Sequence, residues 1–190
     1  MKEVRAARSG AQTADERDQR FEVSFAGEDE RLGRHRHEAR GILAAMAEVK
    51  IRPVTELDIE SICKIDERIT GKYRPDVWED RVIYYIRRDP DSSQVAEVGG
   101  RVVGFMLGEV RGGEFGLEEP TGWVEFFGVD PQARDKGVGR ALIEALFAGF
   151  KRKGAHVART MVANADRDID AFIRRMGFAP APVTALEKKL

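Results

Sequence analysis

Cysteine is almost absent. One residue, Cys63, in a chain of 190 excludes an intramolecular disulfide framework and a structural zinc site built on several thiolates. A dominant charge of one sign is also missing: 32 Lys and Arg stand against 33 Asp and Glu, for a formal net charge of -1. That removes the simplest argument for nucleic-acid binding, a strongly basic chain. Long hydrophobic runs are lacking. Val102-Val103 and Phe105-Met106-Leu107, split by Gly104, fall far short of the roughly 20 apolar residues that span a bilayer. The N-terminus has no apolar core of the signal-peptide kind, so the expected address is the cytoplasm. What is present, 42% apolar and 34% charged residues, suits a globular protein. The length fits one domain of about 100–200 residues, which buries a core without staples.

Composition changes near residue 46. Met1 to Arg40 is dense in charge of both signs, and its few apolar residues have no lasting period. Such a segment cannot bury enough surface to offset its ordering entropy. Residues 1–45 are therefore expected to form a charged, disordered or loosely helical tail, and residues 46–190 one domain. Phe21, Val23 and Phe25 alternate as a short strand would, without an obvious partner. His35 and His37 flank Arg36 and read as solvated, so no metal is expected. Met46-Ala47-Glu48-Val49-Lys50-Ile51 reads as a natural start followed by a strand, which makes the upstream residues an extension or the product of a mis-assigned start codon.

Beyond Met46 the signals are orderly. Val49 to Pro53 reads as a strand, and Thr55 or Asp58 caps a helix with Leu57, Ile59, Ile62, Cys63 and Ile65 on its apolar face. Cys63 is thus a buried structural thiol rather than a nucleophile. Pro75 opens a second helix, with Val77, Trp78, Val82, Ile83, Tyr85 and Ile86 inward, and Asp89-Pro90 ends it. Gln94 to Val98 and Arg101 to Val110 surround Gly99-Gly100 as a hairpin. A long loop, Arg111 to Thr121, leads to a strand at Gly122 to Val129. Gly137 to Lys153 reads as a helix, His156 to Val162 as a strand, Asp168 to Met176 as a helix and Val183 to Leu186 as a last strand. The order β-α-α-β-β-β-α-β-α-β places the chain in the α+β class, a single mixed sheet flanked by helices.

Chemistry concentrates in Val129-Asp130-Pro131-Gln132-Ala133-Arg134-Asp135-Lys136-Gly137-Val138-Gly139-Arg140. A strand ends, the chain turns at Pro131, and a glycine loop opens into an amphipathic helix. Free N–H groups at a helix start, with the helix dipole, make an anion site. Gly137 and Gly139 allow close backbone approach, and Arg134, Lys136 and Arg140 add positive charge. A P-loop is excluded because Gly-Lys-Ser/Thr is missing. A Rossmann fingerprint is excluded because Leu142 stands where its third glycine belongs and the loop follows a hairpin. Asp135 is of a residue type that tolerates unusual backbone angles better than most.

Arg134-x-x-Gly137-x-Gly139 after Val-Asp-Pro resembles the acyl-CoA-binding loop of the GNAT (general N-acetyltransferase) superfamily. The element order, the opening Ile51-Arg52-Pro53-Val54-Thr55 and the closing Phe172-Ile173-Arg174-Arg175-Met176-Gly177-Phe178 resemble it too. The resemblance covers residues 49–190. It implies a mostly antiparallel central sheet with helices on both faces, and acetyl-CoA as co-substrate with no metal. The backbone N–H groups of Lys136, Gly137, Val138, Gly139 and Arg140, with Arg134, would hold its pyrophosphate. Phe127 and Val129 would pair with the pantetheine arm. The implied reaction is direct acetyl transfer to an amine, on a protein or peptide or on a small molecule.

An attacking amine must lose its proton. Glu125, four residues before Val129 in an otherwise apolar strand, stands where the family often has a Glu, and the resemblance makes it the candidate base; burial would raise its pKa toward a useful range. An outward, solvated Glu125 is the competing reading. The family often carries a tyrosine where this chain has Ile173, so the acid for the leaving thiolate must come from water or another tyrosine. Tyr85 is the candidate, with Tyr84 beside it and Tyr73 in the preceding loop; core or rim packing is the alternative for the helical pair. Ile69 to Pro75 and the loop with Glu114, Phe115, Leu117, Glu118 and Glu119 would border the acceptor cleft, with Trp123 on its rim; the acid there would favour a cationic amine, and a merely solvated loop is the competing reading. Neither nucleic acid nor membrane is an expected partner, and the state is expected to be a monomer or homodimer. A catalytically weak acyl-CoA-sensing module is the rival function.

Overall fold

The computed structural model describes residues 48–116 and 118–190. The tail histidines, the Phe21/Val23/Phe25 alternation, the proposed start at Met46 and Leu117 lie outside the described residues. β1 (Lys50–Pro53), β2 (Gln94–Val98), β3 (Arg101–Arg111), β4 (Thr121–Val129) and β5 (Val157–Arg159) form one sheet in that order. β1 to β4 are antiparallel neighbours, and β4 and β5 run parallel. The helices are α1 (Ile59–Thr70), α2 (Pro75–Arg88), α3 (Val138–Arg152) and α4 (Arg167–Arg175). The mixed, mostly antiparallel α+β sheet expected from the sequence is present.

Each face of the sheet has its own core, because alternate strand residues point to opposite sides. On one face Phe105 and Leu107 of β3 pack with Ile62, Cys63 and Ile65 of α1 and with Trp78, Val82 and Tyr85 of α2. Trp78 meets Phe105 edge-on, with centroids 4.9 Å apart. Cys63 is buried there, and burial pushes its thiol pKa up, as befits an inert structural group. On the other face Met106, Val124, Leu142, Leu146, Phe150 and Ile173 pack together. Gly122 is required at that contact: a Cβ there would lie 2.1 Å from the Phe150 ring.

Four local expectations are corrected. Val77, expected inward on α2, is exposed, and Trp78, Val82 and Tyr85 carry the buried face. Leu57 is 91% exposed. It sits in a 3-10 turn, Glu56–Asp58, and the α-helical face begins only at Ile59. The strand expected at Val183 to Leu186 does not form; residues 178–190 carry no helix or strand. Pro180 and Pro182 remove backbone donors just before it. β5 is Val157–Arg159 rather than His156 to Val162, because its pairing with β4 stops at Trp123 and Arg159.

The turn into α1 is fixed by charge. Asp58 is buried, accepts two bonds from Arg52 at 2.7 Å, and accepts from the Thr55 N–H and hydroxyl at 2.8 and 2.9 Å. Burial pushes the Asp58 carboxyl up, but Arg52 and Thr55 together hold it below the ordinary aspartate value. A depressed folded-state pKa gives stability that is present above the unfolded value near pH 3.9 and is lost as pH falls through the folded one. Asp58→Asn is therefore expected to cost about 2 kcal/mol at neutral pH and to flatten the fall of Tm below about pH 4. Thermal melts of both proteins across pH 3 to 7 check this, and identical pH slopes would contradict it.

Candidate functional site

The site is built where β4 leaves β5. The parallel ladder pairs Thr121, Gly122 and Trp123 with Val157, Ala158 and Arg159 and goes no further. From Val124 to Val129, β4 has β3 on one edge and, among the described residues, no strand on the other. Glu125 sits where this separation begins.

Glu125 is the extra residue of a β-bulge. In the β3–β4 ladder Leu107 faces Phe126 and Gly108 faces Val124, which leaves Glu125 unmatched. A bulge bends its strand and re-aims a side chain. Both Glu125 and Phe126 consequently face α2: Tyr85 donates its hydroxyl hydrogen to Glu125 Oε2, and its ring meets Phe126 edge-on. Phe127 turns to the other face, 6.2 Å from Phe172 of α4. The side-chain alternation of GWVEFFGV is blurred for this reason.

Glu125 is neither solvated nor fully enclosed, with its side chain 23% exposed. Burial pushes its carboxyl pKa up. Arg111 Nη2 donates to its Oε1 at 2.5 Å. Arg111 was expected to open a loop, but it is the last residue of β3 and shares that strand face with Phe105, Leu107 and Glu109. Glu109 accepts from Arg111 Nε at 2.6 Å, Arg88 Nε at 3.0 Å and the Tyr84 hydroxyl at 3.2 Å. Sequence reasoning missed Glu109, Arg111 and Arg88. The available signal was an acid inside the apolar alternation of β3.

The remaining candidates divide. Tyr85 is 2% exposed, and its hydroxyl meets Glu125. Tyr84 is half-exposed, and Tyr73 is tied to Glu60 at 2.8 Å, away from Glu125. Ile173 is buried in the core, where it can donate nothing. Phe115 packs on Trp123 with centroids 5.9 Å apart, and Glu114 reaches Arg111 Nε at 3.8 Å, so this loop does border the Glu125 cluster.

At the far end of β4, Asp130 is buried, bonded to Arg68 of α1, and caps the Pro131–Ala133 turn by accepting from the Gln132 N–H. Asp135 and Gly137 take left-handed backbone angles, φ 61° and 77°. Gly137 is the N-cap of α3, no side chain caps it, and the first intrahelical bond runs from the Ala141 N–H to the Gly137 carbonyl. The N–H groups of Val138, Gly139 and Arg140 are thus left at the helix start for a ligand or water. Arg134, Lys136 and Arg140 are exposed around them, while the Val138 side chain is buried. Gly139 has a packing reason as well: a Cβ there would lie 3.3 Å from Phe172. No group of three or more His, Cys, Asp or Glu among the described residues could hold a metal ion, and no helix among them is long and apolar enough to cross a membrane.

Known proteins resemble this chain in sequence and in fold. The chain is 31% identical over 101 residues to mycothiol acetyltransferase of Thermobispora bispora, a match that covers 53% of this chain but only 34% of that protein. It is 27% identical over 145 residues to an acetyltransferase of Pectobacterium atrosepticum, covering 75% of this chain and 96% of the relative. Its fold superposes on the aminoglycoside N-acetyltransferase AAC(6')-Iy in complex with CoA with a TM-score of 0.65, at 19% identity, over 75% of this chain and 95% of the other. The profile of the acetyltransferase (GNAT) family matches residues 59–178. That span runs from the first turn of α1 to the Gly-Phe after α4 and takes in loop, bulge and strand separation together: the chain belongs to the GNAT acetyltransferase family.

Proposed function

We propose that this protein transfers an acetyl group from acetyl-CoA directly to an amine that is cationic in solution, with Glu125 as the general base. The observation that carries this reading is the bulge, which sets a half-buried carboxylate of raised pKa at the point where β4 and β5 part. The residues around it fit the co-substrate. The backbone N–H groups of Lys136 to Arg140, with the Arg134, Lys136 and Arg140 side chains, would hold the pyrophosphate. The unpaired edge of β4 at Phe127 and Val129 offers backbone groups to an extended pantetheine arm. When bound, the thioester supplies an acetyl carbonyl activated toward nucleophiles.

Glu125 takes the proton of the ammonium, freeing the nitrogen lone pair. The N–C bond then forms, the C–S bond breaks, the nitrogen gives up its second proton to solvent, and the leaving thiolate acquires a proton. With Ile173 buried, solvent delivers that proton. Tyr85 acts through Glu125, as a positioning residue whose hydroxyl fixes the carboxylate. The acceptor rim is acidic, with Glu114, Glu118 and Glu119 near Phe115, while Arg88 and Arg111 are paired with Glu109 and Glu125. A lysine side chain, a peptide N-terminus, a polyamine or an amino sugar suits that rim.

A panel of such amines, assayed by release of the CoA thiol and by mass of the product, tests the reading. Turnover is expected with cationic acceptors and not with neutral or acidic amines of equal size. Acetyl-CoA binding without turnover on any amine would favour the sensing-module reading, which the buried Ile173 supports.

A further inference from the structure

Glu109 is a carboxylate at 0% exposure, within the apolar run of β3. Burying such a charge is costly unless it is paired and fully hydrogen-bonded, and an apolar residue like Leu107 on the same face would avoid the cost. Three donors from two elements converge on it: Tyr84 and Arg88 from α2, and Arg111 from the end of β3. Arg111 in turn bridges carboxylates, with Nε on Glu109 and Nη2 on Glu125, while Glu114 stands farther off, 3.8 Å from Nε. It precedes Gly112-Gly113, so its own backbone gives it little support on the far side. A long side chain at such a strand end loses considerable rotamer freedom when held in one pose. Glu109 and Glu125 supply that hold.

We propose that Glu109 is a positioning residue: it locks the Arg111 guanidinium against Glu125 and balances part of its charge, so that Glu125 keeps its place in the cleft and remains a base. The inference rests on the reading that Glu125 takes the acceptor's proton. A guanidinium paired with Glu125 alone would make the carboxylate a weaker base. Shared with Glu109, its pull is divided, and the upward push of burial on Glu125 persists. Tyr85 from α2 also meets Glu125; nearby, Glu114 from the turn after β3 lies 3.8 Å from Arg111 Nε, and Arg159 of β5 donates to Thr121 at 2.6 Å. Arg88 and Tyr84 stand behind Glu109.

The test is a carboxyl titration by ¹³C NMR on the full chain, with the Glu125 signal identified by its loss in Glu125→Gln. Arg111→Met removes a positive charge, so the Glu125 midpoint is expected to rise by about one pH unit or more. Glu109→Gln keeps the shape but leaves the Arg111 charge unbalanced, so the midpoint is expected to fall by about half a unit or more. The acid limb of kcat/KM moves in the same two directions. Opposite shifts show that both charges act on Glu125, whereas a role in fold stability alone moves neither midpoint. Arg111→Met alters a partly exposed strand end and gives a reading even where Glu109→Gln fails to fold. An unmoved Glu125 midpoint in Arg111→Met, or a shift of both variants in one direction, overturns the inference. A Glu125→Gln protein of undiminished rate would instead remove the catalytic reading, whatever the titration gives.

Discussion

Glu125→Gln is expected to lower kcat for acetyl transfer by about 100- to 10,000-fold, the usual worth of a positioned general base, with the Kd for acetyl-CoA nearly unchanged. The substitution is isosteric. Tyr85 can still donate to the amide oxygen, and Arg111 keeps Glu109 as its partner. Nothing in the apolar cores moves, so the loss falls on proton transfer rather than on folding. The pH profile carries a second signature. Because burial raises the Glu125 pKa, the base form disappears on acidification at a pH above the ordinary glutamate value of about 4.3. The rate of the wild-type protein falls there, and the Glu125→Gln protein loses that limb. Steady-state kinetics of both proteins over a pH series check it. An unchanged kcat in the variant would exclude Glu125 as the base.

The parts of this architecture that were legible in the sequence are those set by neighbours along the chain. α2, α3 and α4 begin and end within a residue of their expected limits, since Pro75, Gly137 and Gly177 punctuate strong helical periods. The glycine loop is equally local. Asp135, expected to accept an unusual backbone angle, stands at φ 61°. Ile173, whose helical spacing placed it on an apolar face, is buried.

What the sequence concealed is long-range. The bonds from Tyr85 and Arg111 to Glu125 join residues 40 and 14 positions apart. No periodicity encodes them. The bulge was hidden because a one-residue slip within a strand exchanges faces, so that Phe126 and Phe127 made both faces of β4 look apolar. Once the slip is placed at Glu125, the alternation on either side of it is regular. Glu109 was missed by the opposite route: an acid in an apolar strand reads as an outward residue, yet here it is the most enclosed charge on β3. The short β5 has the same origin. Beyond Arg159 it has no β4 residue to pair with, because β4 has bent away at the bulge.

Neutralising the basic rim of the loop is the second change expected to have a large effect. Arg134, Lys136 and Arg140 are exposed, and among the described residues only the Arg140–Glu144 pair on α3 engages any of them in an ion pair. Replacing all three by Gln leaves the cores intact. In water a charge 4 Å from an anion is worth about 1 kcal/mol, so losing three such contacts to a pyrophosphate amounts to roughly a hundredfold in Kd. Gly139 is the poorer choice for this purpose, because a Cβ there lies 3.3 Å from the Phe172 ring, so a substitution changes packing as well as the loop. Raising the salt concentration weakens binding to the wild-type protein in the same sense.

In the proposed reaction an acyl-CoA would be held by the start of α3 and the edge of β4 that faces away from β3, beside Glu125. Calorimetric titration of acetyl-CoA into the 190-residue chain, with the Arg134→Gln/Lys136→Gln/Arg140→Gln variant alongside, tests this most directly. The predicted result is micromolar binding to the wild-type protein and roughly hundredfold weaker binding to the variant. No heat of binding in a folded, ligand-free wild-type protein, or equal affinity in both, would contradict it and leave the glycine loop as a turn.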